Sequence, residues 1–175
     1  LAFLFFKKVN SMRKLLIIFT LVMSFSSFAN EPQSPVTEQS TAQSQYDSLL
    51  AYYFAAARTD DTAVITQFVD AGIPINSYNN KGYTALMIAT YHGNKNTVNT
   101  LLQLGANACL EDNRGNTALM AAIFRGEFSI AKTLVSLDCD NAHQNKAGQT
   151  AEQFAQKFGQ QKVLDLLAQV NSKSN

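Results

Sequence analysis

The fold is decided by two consecutive stretches, NNKGYTALMIATYHGNKNTVNTLLQLGANACLE at 79–111 and DNRGNTALMAAIFRGEFSIAKTLVSLDCDNAHQ at 112–144. The glycines that set their spacing form two series, Gly82, Gly115 and Gly148, and Gly93, Gly126 and Gly159. Neighbouring members of each series lie 33 residues apart. Two independent series with one period indicate an internal structural repeat.

Each repeat contains two short segments with helical periodicity. Leu86 and Ala89 lie on one face of the first segment, and Val98, Leu101 and Leu102 form an apolar stripe on the second. Neither segment is long enough to be stable as an isolated helix. Each helix therefore requires cover from the neighbouring repeat, and a small residue such as Ala89 permits close stacking.

The repeats resemble those of the ankyrin family. The family's turn motif, Gly-x-Thr-Pro-Leu-His-x-Ala, is matched by GYTALMIA at 82–89 and GNTALMAA at 115–122, and its Leu-Leu-x-x-Gly-Ala motif by LLQLGA at 101–106. The resemblance implies an all-α solenoid of about four 33-residue helix-turn-helix repeats, joined by short β-hairpin loops.

The turn motif departs from the family pattern, since Ala85 and Met87 replace its Pro and His. The first change removes a preset φ at the helix start and the second removes a hydrogen bond, so we expect modest stability. Thr84, Thr117 and Thr150 can still cap the first helix of each repeat through their hydroxyls.

The repeat domain is predicted at 46–170, with a tail at 171–175. Its repeats are placed at 46–78, 79–111, 112–144 and 145–170. Helices of the outer repeats are expected at Leu49–Ala57 and Thr62–Asp70, and at Thr150–Lys157 and Gln161–Val170. The many glutamines of the last repeat suit the polar face of a capping unit.

Residues 1–29 have the three parts of a cleaved secretory signal peptide. Arg13 and Lys14 precede the apolar run 15–23, and small residues lead to a predicted cut after Ala29. Met12 is the favoured start, which would leave residues 1–11 outside the working protein. An uncleaved membrane anchor is the alternative, although a span needs roughly 20 apolar residues.

Removal of the signal changes the charge balance. It takes away Lys7, Lys8, Arg13 and Lys14, leaving 10 basic residues against 13 acidic ones and a net charge of −3. A mildly acidic chain without a basic cluster lacks the features of a nucleic-acid binder. Residues 30–45 are rich in Gln, Ser, Thr and Pro, and this composition predicts a disordered linker.

No motif supports catalysis, a metal or a cofactor, so the protein is not expected to be an enzyme. His92 and His143 occupy different repeat positions, which does not suit a shared site. Cys109 and Cys139 are offset by three positions between adjacent repeats, and a bridge needs Cα atoms within about 7 Å. We therefore expect two free, partly buried thiols, although an oxidising compartment would permit a disulfide.

The resemblance implies that a protein partner binds the concave face formed by the hairpin tips and the exposed ends of the inner helices. Residues at the matching positions are Asn80, Lys81, Tyr83, Tyr91, His92, Glu111, Asn113, Arg114, Asn116, Phe124 and Arg125. Tyr and Arg are common among residues that dominate interface energy. The alternative is that the aromatic residues are scattered over the surface or pack beneath the hairpins.

The sequence thus predicts a monomeric, non-catalytic interaction module of the bacterial periplasm. The alternatives are a secreted effector acting on a host protein, and a regulator or inhibitor of a periplasmic enzyme or toxin. A regulator that senses redox state through Cys109 or Cys139 would require an exposed, reactive thiol.

Overall fold

The computed structural model describes residues 35–137, 139–140 and 142–172. Within these residues the chain is helical, with no strand. The helices are α1 (Pro35–Thr59), α2 (Thr62–Asp70), α3 (Ala85–Tyr91), α4 (Lys95–Gln103), α5 (Ala118–Arg125), α6 (Phe128–Val135), α7 (Ala151–Lys157) and α8 (Gln161–Asn171). The predicted all-α solenoid is confirmed. The expected β-hairpins are tight turns among the described residues. The signal peptide and part of the linker and tail, 1–34 and 173–175, lie outside them.

The repeats stack in two rows within the compact unit Ser44–Asn175. The first helices of successive repeats form an inner row, in which α3 packs on α5 and α5 on α7. The second helices form an outer row, running from α2 through α4 and α6 to α8. Each inner helix of the later repeats also packs on the outer helix of its own repeat.

Small residues allow the inner helices to stack closely. One alanine recurs at the same position in every repeat, as Ala56, Ala89, Ala122 and Ala155. All four are buried. Val98 and Leu101 are also fully buried, as the apolar stripe predicts. A larger side chain in the alanine series would have no space between close-packed helices.

Threonine hydroxyls cap the N-termini of the inner helices, as the sequence predicts. Thr84 Oγ1 accepts a hydrogen bond from the N–H of Met87 at 3.3 Å. Thr150 Oγ1 accepts one from the N–H of Gln153 at 3.2 Å, and the Gln153 side chain accepts the N–H of Thr150 in return. Each hydroxyl therefore satisfies a backbone donor that the helix leaves unpaired.

Helix α1 begins within the segment for which composition predicts disorder. It starts at Pro35, so residues 35–45 are helical. Proline suits the first helical position because its φ is preset and its missing N–H needs no partner there. The Glu, Gln and Ala residues that follow have good helix propensity. Side chains 40–49 are exposed, which means that local propensity, not burial, accounts for the helix over this stretch.

Asp60 joins the first repeat to the second. It takes the position that Gly93 occupies one repeat later, and its φ of +60° is one that favours glycine. Its carboxylate accepts hydrogen bonds from the N–H and hydroxyl of Thr97, at 2.9 and 2.8 Å, and from the amide of Asn96 at 2.9 Å. Asp60 therefore caps the N-terminus of α4 from the preceding repeat.

At the same interface, a side chain of the second repeat also hydrogen-bonds to the first repeat. The side-chain amide of Asn94 donates to the carbonyls of Ala57 and Arg58, at 2.9 and 2.8 Å, at the end of α1. At the next interface Glu127 takes the place of Asn94, and its carboxylate lies where a Cβ on Gly93 would be. The turns that end α1 and α3 are thus covered by the following repeat.

Asp60→Ala is expected to lower the free energy of unfolding by about 1–2 kcal/mol at neutral pH, because it removes a helix cap. Partial burial acts to raise the pKa of Asp60, but the hydrogen bonds from Thr97 and Asn96 outweigh it and hold the pKa below its ordinary 3.8. This stabilisation is present above pH 3.8 and is lost as the pH falls through the lowered folded-state pKa. The part of the difference that comes from the charged carboxylate should therefore disappear in acid.

Urea unfolding at neutral and acidic pH measures this difference. Asp70→Ala, which removes an exposed carboxylate from the end of α2, is the control. Equal effects of the two substitutions at neutral pH would contradict the capping role of Asp60.

The prediction of two free thiols is wrong. Cys109 and Cys139 form a disulfide, with their Cα atoms 5.5 Å apart. The three-position offset between Cys109 and Cys139 does not keep them apart, because both residues lie in loops. No helical rise sets the distance between their Cα atoms there. A related contact joins the preceding pair of repeats, where Asn76, at the position equivalent to Cys109, accepts the N–H of Asn107 at 2.9 Å.

Replacing both cysteines by serine is expected to lower the free energy of unfolding by about 2–4 kcal/mol, because a covalent link across 30 residues restricts the unfolded chain. Urea unfolding with and without a thiol reductant measures the effect. The reductant should shift the wild-type midpoint and leave that of the double variant unchanged. Titratable thiols in the native protein, with no shift on reduction, would contradict the bridge.

Candidate binding groove

Inner helices and the loops before them enclose one groove of about 530 Å³. The predicted site residues that line it are Lys81, Tyr83, Tyr91, His92, Arg114, Asn116 and Phe124. The other lining residues, absent from the predicted set, are Arg58, Asn79, Met87, Ile88, Asp112, Thr117, Met120, Ala121, Phe154 and Phe158. Residues from all four repeats therefore contribute to a single concave surface.

Aromatic rings form part of the groove lining. Tyr91 and Phe124 stack with ring centroids 6.2 Å apart, and Phe124 meets Phe158 edge to face at 5.1 Å. Phe158 also contacts Phe154, at 4.9 Å. Tyr91 and Phe124 are 44% and 46% exposed, so these large apolar surfaces remain open to solvent. Tyr91 and Phe124 are therefore neither isolated on the surface nor buried beneath the loops, whereas Tyr83 is partly buried against the core.

Position in the repeat explains this arrangement. One repeat position lies at or next to the last residue of the inner helices, and it is occupied by Arg58 in α1, Tyr91 in α3, Phe124 in α5 and Lys157 in α7. One repeat position thus presents a cation, two aromatic rings and another cation. The 33-residue period alone identifies Arg58 as part of this series.

The loops at the edge of the groove are held by a recurring side-chain turn. Asn79 Oδ1 accepts the N–H groups of Lys81 and Tyr83, both at 2.9 Å. Asp112 Oδ1 accepts those of Arg114 and Asn116, both at 2.8 Å. Such Asx turns fix the loop backbone. The sequence signal was an Asn or Asp three residues before each glycine of the Gly82 series.

The lining of the groove carries more positive than negative charge. Arg58, Lys81 and Arg114 line it and are exposed, and the only lining carboxylate among the described residues is Asp112. Both Asp112 oxygens are used within its own loop, because Oδ2 accepts from the Asn116 amide at 3.1 Å. The three cations therefore outnumber the one carboxylate of the lining, and in the described part of the chain Asp112 forms no ion pair with them.

His92 lies in this positive field. Partial burial lowers the pKa of its imidazole, and the nearby charges of Arg58 and Arg125 lower it further. The lowered pKa favours the neutral ring near neutral pH.

Arg125 is predicted as a binding residue but does not line the groove. Its Nε donates to the carbonyl of Tyr91 at 3.0 Å, and its guanidinium lies 4.9 Å from the centre of the Tyr91 ring. Both contacts join two repeats. Arg125 therefore holds Tyr91 in place through contacts with its carbonyl and its ring. An alanine at position 125 would disturb the groove as well as any contact with a partner.

Three further predicted residues lie outside the groove lining. Asn113 packs over Gly82, where an added Cβ would overlap its side chain. Glu111 lies 3.5 Å from the Nδ1 atom of His143, and the Nε2 atom of that ring is 2.8 Å from the Gly115 carbonyl. Asn80 is exposed at the first loop tip. These positions belong to the interfaces between loops or to their outer side.

Within the part of the chain that the structure describes, no three His, Cys, Asp or Glu residues are grouped so that they could hold a metal ion. No described helix has the length and apolar character needed to cross a bilayer. The groove is a concave surface with exposed aromatic rings and cations.

A stack of helix pairs that combines inner helices and loops into one groove defines a solenoid repeat protein. A family model described as ankyrin repeats (3 copies) matches residues 38–112 and 105–175, and the chain belongs to this family. Ankyrin repeats generally mediate protein–protein interaction and are generally non-catalytic. Comparison with curated proteins gives no match.

Proposed function

We propose that this protein is a non-catalytic, monomeric interaction module of the bacterial periplasm, which binds one protein partner through the groove. The observation that carries this proposal is the exposed pair Tyr91 and Phe124, which stack on each other in the groove lining. Exposed aromatic surface inside a concave site is typical of interface hot spots.

The rigidity of the groove supports the same proposal. Asx turns hold the loops that carry Lys81 and Arg114, and Arg125 holds Tyr91 from the side of the next repeat. A preformed surface loses little conformational entropy on binding, so its contacts contribute more fully to affinity.

Two observations support location in the periplasm. Residues 1–29 have the order of charge, apolar run and small residues that export requires. Cys109 and Cys139 are paired, and disulfides persist mainly in oxidising compartments. The pairing also weighs against a sensor that works through a free thiol.

The groove is tested by affinity capture from periplasmic extract, with wild type and two double variants as bait. Tyr91→Ala with Phe124→Ala removes the exposed rings of the groove. Tyr46→Ala with Tyr52→Ala removes two exposed rings of α1 and is the matched control. We expect wild type and control to capture the same protein in similar amounts. The groove variant should capture at least about tenfold less of it, a loss typical of hot-spot residues.

Circular dichroism and thermal melting of each bait establish that the variants are folded. Equal capture by the groove variant would contradict the proposed surface. Absence of capture by every bait would favour the alternative in which the protein is a secreted effector with a partner outside the producing cell.

Export is tested by the mass of the chain after expression from its full sequence in a bacterium. We expect a periplasmic species that begins at Asn30, because the small residues before this position suit signal peptidase. A membrane-bound species that retains residues 15–23 would instead support the uncleaved anchor.

A further inference from the structure

The charges of the groove define the chemistry of what it binds. We infer that the partner presents an acidic segment whose carboxylates meet Arg58, Lys81 and Arg114, with an apolar side chain between them that lies on Tyr91 and Phe124. This inference rests on the proposed function and names the class of partner that the groove fits.

The three cations are available for such contacts. Each is exposed, and none forms an ion pair with any carboxylate that the structure describes. Two of them, Lys81 and Arg114, occupy the same position in successive loop tips, and the loop backbone that carries them is fixed by Asn79 and Asp112. An extended segment crossing these two loops would meet one cation in each.

Charge complementarity separates the groove from the rest of the molecule. After removal of residues 1–29 the chain has 10 basic and 13 acidic residues, yet three exposed cations line the groove beside one carboxylate that its own loop occupies. An acidic segment is therefore drawn to the groove and repelled elsewhere. Complementary potentials of this kind govern partner choice and the rate of association.

The exposed rings of the groove require that the segment also carries an apolar side chain. Burying the half-exposed rings of Tyr91 and Phe124 gains free energy only if an apolar surface covers them. Met87, a buried residue, also lines the groove near these rings. The fitting segment thus combines Asp or Glu with an aromatic or large aliphatic residue.

A single-stranded nucleic acid also combines negative charge with stacking surfaces. It carries a charge at every nucleotide, and binding without sequence preference follows a continuous positive channel. Here the cations number three and the remaining surface is acidic on balance, which favours carboxylates on a short protein segment.

The test is a selection of random peptides displayed on phage, using the full chain purified after any processing by the cell. Two charge variants with the same net charge are compared. Lys81→Glu with Arg114→Glu reverses the groove, and Lys95→Glu with Lys132→Glu reverses two exposed lysines of the outer helices α4 and α6. Affinities of the selected peptides are then measured by fluorescence anisotropy.

We expect enriched peptides that contain Asp or Glu around an aromatic or aliphatic residue. Their affinity should fall about tenfold or more with the groove reversal, and stay within about twofold with the control reversal. Replacing the peptide's Glu by Gln should cause a similar loss. An oligothymidylate probe should not compete with the peptides.

Enrichment of neutral or basic peptides, an absence of enrichment, or equal loss with both reversals would overturn the inference. Competition by oligothymidylate would assign the groove to nucleic acid instead. A protein captured through Tyr91 and Phe124 but unaffected by the groove reversal would overturn the acidic class while leaving the proposed function in place.

Discussion

Contact between successive repeats is the constraint on which the structure depends. None of the inner helices α3, α5 and α7 exceeds eight residues, too short to persist alone. Each is covered by its neighbours, and the turns that end α1 and α3 are closed by side chains from the next repeat. Asp60 and Asn94 form this closure at the first interface, and Glu127 lies over Gly93 at the second. Folding of one repeat is therefore stabilised by folding of the next.

The groove is a consequence of this stacking. Tyr91 and Phe124 stand at one repeat position, so the spacing between their rings is set by the packing of α3 on α5. Arg125 reaches back across the same interface, and the disulfide joins the loops of the same two repeats. Groups that stabilise the stack thus also hold the surface in shape, which links stability to binding.

Much of the fold could be predicted from the sequence because a repeat displays its own register. The period located α2 at Thr62–Asp70 and the threonine caps, since both depend on local spacing. The family resemblance indicated Tyr83, Tyr91 and Phe124 as surface residues, but not Phe154 and Phe158, which also line the groove. Local pattern could not reveal the disulfide, because loop geometry brings Cys109 to Cys139, nor the role of Arg125, which depends on a contact across repeats. Composition misjudged residues 35–45, where helix propensity outweighs the lack of apolar surface.

Cooperation between repeats is measured most directly by native-state hydrogen exchange of the amides in α3 and α5 at increasing urea concentration. If the interface contacts hold the stack together, these amides should converge on one opening free energy and exchange in a single event. Opening of α3 at a free energy well below that of α5, with α5 still protected, would contradict the account, because the groove would then be built on repeats that fold independently.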